Sequence, residues 1–209
     1  MKLFYFIKFL KRYLFYRMSS TKRYSELLLK ATSTKAKNFL EIGVYTGKRS
    51  KELIECGKIF GKKINFYGFD LFEEFTDSKL KKELSKKPDV IDVIKTKLSK
   101  LNLNFFLIKG DTIVTLKNFR PKILFDLIFI DGGHSIKTIE NDWKYTRRLI
   151  KERGLVVFDD YYVNDKNIIK KFGCNNLINQ LMKSKIYSIE FSKNTDYFPK
   201  KNYGIKLVF

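Results

Sequence analysis
The chain has 209 residues, enough for one domain with one core, and its 44% apolar content is that of an ordinary globular protein. Its only cysteines, Cys56 and Cys174, lie far apart without metal-ligand spacing, which argues against a zinc site or a disulfide framework and fits reduced thiols in the cytoplasm. The formal charge of +21 favours acidic partners such as nucleic acid or anionic membrane, but the lysines are spread along the whole chain, as a general compositional bias would also spread them.

Met1 to Met18 mixes Phe, Tyr, Leu and Ile with Lys2, Lys8, Lys11, Arg12 and Arg17. No uncharged run approaches the roughly 20 residues that span a bilayer. The basic residues also interrupt any signal-peptide core, and no small-residue cleavage site follows. Two readings stand. The segment is a basic amphipathic helix on an anionic membrane surface, or a helix covering the body of the protein or a partner subunit. Ser19 or Ser20 is a candidate cap for a helix from Thr21 to about Thr32, with Leu27, Leu28 and Leu29 on its apolar face. Phe39 to Ile42 reads as a short strand, Gly43 to Gly47 as a tight loop, and Arg49 to about Phe60 as a helix. A strand, a glycine loop and a helix aim backbone N–H groups and a helix N-terminus at a ligand.

The glycine spacing selects among nucleotide-type loops. A dinucleotide fold wants Gly-x-Gly-x-x-Gly, and Tyr45 and Lys48 break that spacing. A P-loop wants four residues between its glycines and then Lys and Ser or Thr; here three intervene, and Arg49 follows the lysine. What remains is Glu41-x-Gly43-x-x-x-Gly47. Ile64 to Phe69 is the next strand and ends in Asp70, an acid placed to accept hydrogen bonds from two ribose hydroxyls. Leu71 to Leu103 is lysine-rich and helical, broken at Pro88. Phe105 to Ile108 is a third strand, followed by Asp111, which could reach a base, and a short helix near Ile113 to Asn118.

The stretch from Phe125 to Tyr162 carries the clearest pattern. Leu127 to Ile130 is an unbroken apolar run, as in a strand buried on both faces. Ser135 is a candidate helix cap, and Ile136, Ile139, Trp143 and Ile150 form one helical stripe toward Arg153, with Gly154 just past the helix end. Leu155 to Phe158 is a second buried strand. The unit is β-α-β, and both strands turn acidic at their tips, where ligands sit in an open α/β sheet. Asp131, His134, Asp159 and Asp160 are expected to converge there. Lys166 to Met182 reads as a helix that Gly173 or Asn175-Asn176 kinks or divides, and Ile186 to Phe191 with Gly204 to Phe209 as a closing antiparallel hairpin.

Together these elements resemble the class I S-adenosylmethionine-dependent methyltransferases: a doubly wound, mostly parallel seven-stranded Rossmann-like α/β sheet. Three blocks are similar to the macrocin O-methyltransferase group: Leu40-Glu-Ile-Gly-Val-Tyr-Thr-Gly47, Phe129-Ile-Asp-Gly-Gly-His-Ser135 and Val157-Phe-Asp-Asp-Tyr161. The resemblance implies a methyltransferase domain over residues 19–209 behind the N-terminal segment 1–18. It implies that Glu41, Gly43, Tyr45, Gly47, Asp70, Asp111 and Asp131 bind S-adenosylmethionine. It places magnesium on Asp131, Asp159 and Asp160, with His134 or Asp131 as the base. The expected acceptor is a hydroxyl on a small molecule or glycan. The expected setting is cytoplasmic, peripheral to the membrane, as a homo-oligomer. RNA methylation, or a non-catalytic nucleic-acid-binding role, is the alternative that the charge suggests.

Overall fold
The computed structural model describes residues 2–61 and 63–209. Its elements are α1 (Lys2–Met18), α2 (Arg23–Ser33), β1 (Asn38–Ile42), α3 (Lys48–Lys58), β2 (Asn65–Asp70), α4 (Asp77–Glu83), α5 (Ile91–Ser99), β3 (Asn104–Lys109), α6 (Thr112–Asn118), β4 (Phe125–Ile130), α7 (Ile136–Thr146), β5 (Ile150–Val163), α8 (Lys166–Ile169), α9 (Asn175–Ser184), β6 (Asp196–Phe198) and β7 (Tyr203–Val208). The strands form one sheet in the order β3-β2-β1-β4-β5-β7-β6. The first five are parallel, and β7 and β6 close the edge antiparallel. This is the Rossmann-like methyltransferase fold, mostly parallel with a C-terminal antiparallel hairpin.

The strand order reverses between β1 and β4. Connections from β1 run outward one way and those from β4 the other, so a crevice opens between their C-terminal tips. Period-two alternation explains the two cores. Phe39, Leu127, Phe129 and Val157 point to the layer of α2, α3 and α5, and Leu40, Ile42, Ile128, Ile130 and Phe158 to that of α6, α7 and α9. Glu41 shares a face with Phe39, so its carboxyl lies fully buried under α3.

Three sequence expectations need correction. The helix after Ser135 ends at Thr146 rather than near Arg153, because Ile150 already pairs with Phe125 and draws the chain into β5. Gly154 therefore lies within β5, where the register shifts, and not at a helix end. Residues 186–191 do not form the outer hairpin strand; β6 is Asp196–Phe198. Phe191 makes a lone bridge to Val208, and Glu190 and Phe209 exchange two backbone hydrogen bonds. The outer strand moves because Glu26 accepts from the Lys193 and Asn194 N–H groups and Asp196 is held by Arg23. The helix over 166–182 is divided as the sequence suggested, with Gly173 between α8 and α9.

Candidate functional site
The crevice is a pocket of about 920 Å³, inside the ~300–1,000 Å³ range of ligand sites. Gly43, Tyr45, Asp70, Asp111, Asp131, His134, Asp159 and Asp160 all line it. Glu41 and Gly47 do not: Glu41 points beneath the loop to accept a hydrogen bond from Ser50, and Gly47 stands at the N-terminus of α3.

The β1–α3 loop runs close to the loop after β4. A Cβ on Gly43, which has φ of +89°, would lie 1.9 Å from the Asp131 carbonyl oxygen, so only glycine fits. Asp70 braces the same loop. One carboxylate oxygen accepts from the Tyr45 N–H at 2.8 Å and the other from the Leu71 N–H at 2.7 Å. Burial raises its pKa, and these backbone hydrogen bonds work against that rise. Asp111 is the N-cap of α6, accepting from the Ile113 N–H at 3.0 Å, and it pairs with Lys79. Glu41, sealed under α3, is pushed up to about 8 by burial.

The acidic tips of β4 and β5 do not act as one group of three. A plain strand would send Asp159 and Asp160 to opposite faces, and a bulge intervenes: β7 pairs with Phe158 and then with Tyr161 across a register shift. Asp160 takes φ of +60° there. Asp159 turns to the α2 side and is clamped by Arg23, with Nε donating at 2.8 Å and Nη2 at 3.0 Å, while the Tyr24 hydroxyl donates at 2.7 Å. Arg23 also pairs with Asp196, and its own N–H donates to that carboxylate at 3.1 Å. Burial alone would raise Asp159, but the Arg23 charge and hydrogen bonds outweigh it and hold it below the usual range.

Asp160 instead faces His134, with Nε2···Oδ2 at 3.1 Å. Asp131, His134 and Asp160 each offer a ligand atom, and these atoms all lie within 4.8 Å of one another. Burial, reinforced by the charges of Asp159 and Asp160, holds Asp131 well above the ordinary carboxylate range. Burial also raises Asp160, against the pull of His134. The side chains gathered closely enough to hold one ion are Asp131, His134 and Asp160, which include two of the three aspartates that the resemblance implied. Asp159 is spent on a protein cation.

The loop that carries His134 is itself clamped. Glu83, at the end of α4, accepts from the Ser135 N–H at 3.1 Å and the Thr138 hydroxyl at 3.0 Å, and its carbonyl accepts from the His134 N–H at 3.1 Å. Sequence reasoning missed Arg23, Tyr24 and Glu83. Arg23 and Tyr24 begin a helix far from the motifs, and Glu83 lies in a lysine-rich run that reads as solvated surface. Only the buried carboxylates' need for a counter-charge could have pointed to Arg23.

A family profile described as a methyltransferase domain matches residues 40–161. No curated protein matches the chain. Among solved structures, the chain is similar to an O-methyltransferase of tomaymycin synthesis from Streptomyces achromogenes in complex with S-adenosylmethionine. The TM-score is 0.55 at 16% identity, covering 88% of this chain and 77% of that one. An O-methyltransferase from Bacillus cereus in complex with S-adenosylhomocysteine gives 0.55 at 15%, covering 87% and 77%. The N-methyltransferase NodS from Bradyrhizobium japonicum with S-adenosylhomocysteine gives 0.56 at 14%, covering 90% and 86%. At these identities the likeness is one of fold.

Proposed function
The chain belongs to the methyltransferase-domain family that matches residues 40–161, and on that footing we propose that it transfers a methyl group from S-adenosylmethionine to a hydroxyl of a small molecule or glycan. The macrocin-type blocks and the two O-methyltransferase neighbours support this acceptor class, and the cofactors in the neighbouring structures support the donor. The observation that carries the oxygen preference is the Asp131–His134–Asp160 cluster. A neutral amine already presents a lone pair, whereas an alcohol must shed its proton before it attacks.

The pocket residues suit the donor. Asp70 would accept the ribose hydroxyls, the Gly43–Tyr45 backbone would pass along the nucleoside, and Asp111 would border the base. Bound there, S-adenosylmethionine supplies a methyl already activated by its sulfonium, so the protein has mainly to align and deprotonate the acceptor. Glu41 and Gly47 serve in this reading by shaping the loop.

The acceptor's proton passes to the His134–Asp160 pair, in which the carboxylate facing Nε2 stabilises the imidazolium. Asp131 is the alternative proton acceptor. Two carboxylates and one imidazole also fit a divalent cation, which would take His134 as a ligand and leave Asp131 as the proton acceptor. When bound, such an ion would lower the hydroxyl pKa. Arg23 keeps Asp159 charged yet occupied, which limits the repulsion among the aspartates.

Transfer of labelled methyl from S-adenosylmethionine to free sugars, lipid-linked glycans and catechols, with and without chelator, tests the reading. Label on oxygen that is lost with chelator is expected. Label confined to amines would overturn the acceptor class. Full activity in chelator would remove the cation and leave His134 as the base.

A further inference from the structure
Helix α1 has apolar side chains on both its inner and its outer face. Inside, Phe9 and Tyr16 join the core, flanked by ion pairs to α3: Arg12 pairs with Glu52 at 2.7 Å and Glu55 at 3.1 Å, Lys8 pairs with Glu55 at 2.9 Å, and the buried Tyr16 hydroxyl donates to Glu52 at 2.9 Å. Its outer face is apolar. Leu3, Ile7, Leu10 and Leu14 recur at helical spacing, with Phe4 and Phe15 beside them, and all six are between 43% and 69% exposed. A continuous outward stripe of this kind marks an interaction surface rather than scattered surface leucines.

We propose that this face lies in the interface of an anionic lipid bilayer, with α1 parallel to the membrane plane. This is independent of the methyltransferase reading. Two observations, both of charge, select lipid over a second copy of the chain. Helix α1 contains no acidic residue, and exposed Lys11 and Arg17 stand at the edge of or within the apolar stripe. Their long stems can follow the apolar face into the lipid while the charges reach the headgroups. A second copy would bring its own Lys11 and Arg17, and a further charge of +21, against the first. At 17 residues the helix is about 25 Å long. No helix among the described residues is long and apolar enough to cross a membrane, so α1 can lie on the bilayer but not span it. Lys48 lines the pocket and also stands 5.9 Å from the exposed Phe15 ring. Docking would therefore bring one wall of the pocket close to the headgroups.

Co-sedimentation of the full chain with vesicles tests the proposal. Binding to phosphatidylcholine mixed with phosphatidylglycerol, weak binding to phosphatidylcholine alone, and weakening by salt are expected. Leu10→Glu with Leu14→Glu should reduce binding at least about tenfold. The thermal midpoint should not move, because both side chains are exposed. Should that variant misfold, the charge reversal Lys11→Glu with Arg17→Glu offers a second reading and should also abolish binding. Wild-type protein left in the supernatant with anionic vesicles would overturn the proposal. So would a stable dimer in sedimentation velocity that the leucine substitutions dissociate.

Discussion

Removing the Arg23 guanidinium should be among the most damaging single changes away from the apolar cores. Arg23 makes two hydrogen bonds to Asp159 at 2.8 and 3.0 Å and a further ion pair to Asp196, all buried. Charged hydrogen bonds at about 1.5–3 kcal/mol each would sum to roughly twice what such deletions cost in practice, because the members of a network are not additive. Breaking a buried pair by removing one partner costs about 3–5 kcal/mol, and we expect Arg23→Ala within that range. The Tyr24 hydroxyl, still donating to Asp159 at 2.7 Å, softens the loss. The pH dependence follows from Asp159, whose folded pKa is depressed. Its contribution to stability is present above the unfolded pKa and is lost as pH falls through the folded value. Urea unfolding of wild type and variant should therefore differ most near neutrality, begin to converge below about pH 4, and meet only below the depressed folded pKa of Asp159. In the Arg23→Ala background Asp159→Asn should cost less than in wild type, or should stabilise. A loss under about 1 kcal/mol, with no coupling between the two positions, would refute Arg23 as the internal counter-cation.

Two further outcomes follow. Burial raises Glu41 from 4.5 to about 8, so across that window only the folded state keeps its proton, and stability falls as pH rises. Glu41→Gln should thus stabilise the protein at about pH 9 and change little at about pH 5, and melting curves with equal shifts at both would contradict the assignment. His134→Ala should lower turnover about 10²–10⁴-fold with cofactor affinity kept, and an unchanged rate would pass the base to Asp131.

Much of the sheet was legible because buried parallel strands read as apolar runs. Leu127–Ile130 and Leu155–Phe158 gave β4 and part of β5, and the acid at each tip marked the crevice. The glycine loop and Asp70 were legible as the tips of β1 and β2, where Gly43 leaves no room for a Cβ beside Asp131 and Asp70 holds the Tyr45 N–H. The start of β5 was not legible, since Lys151, Glu152 and Arg153 are exposed and carry no apolar period. The division of labour between Asp159 and Asp160 was hidden as well. It depends on a bulge and on an arginine more than a hundred residues away in sequence, and no local pattern encodes either. Helix α1 shows the same limit: its composition left membrane and body contact as alternatives, and only the docked geometry shows that Phe9, Tyr16, Lys8 and Arg12 face the body while Leu3, Ile7, Leu10 and Leu14 face outward.

The central claim is that S-adenosylmethionine occupies the crevice between the β1 and β4 tips with Asp70 on its ribose. Titration calorimetry of S-adenosylmethionine into wild type and Asp70→Ala tests it most directly. The wild-type chain should bind, and the variant should bind about 1–3 kcal/mol more weakly, roughly 5- to 150-fold in Kd, with an unchanged fold. Equal affinity in the two proteins, or no binding by wild type, would contradict it.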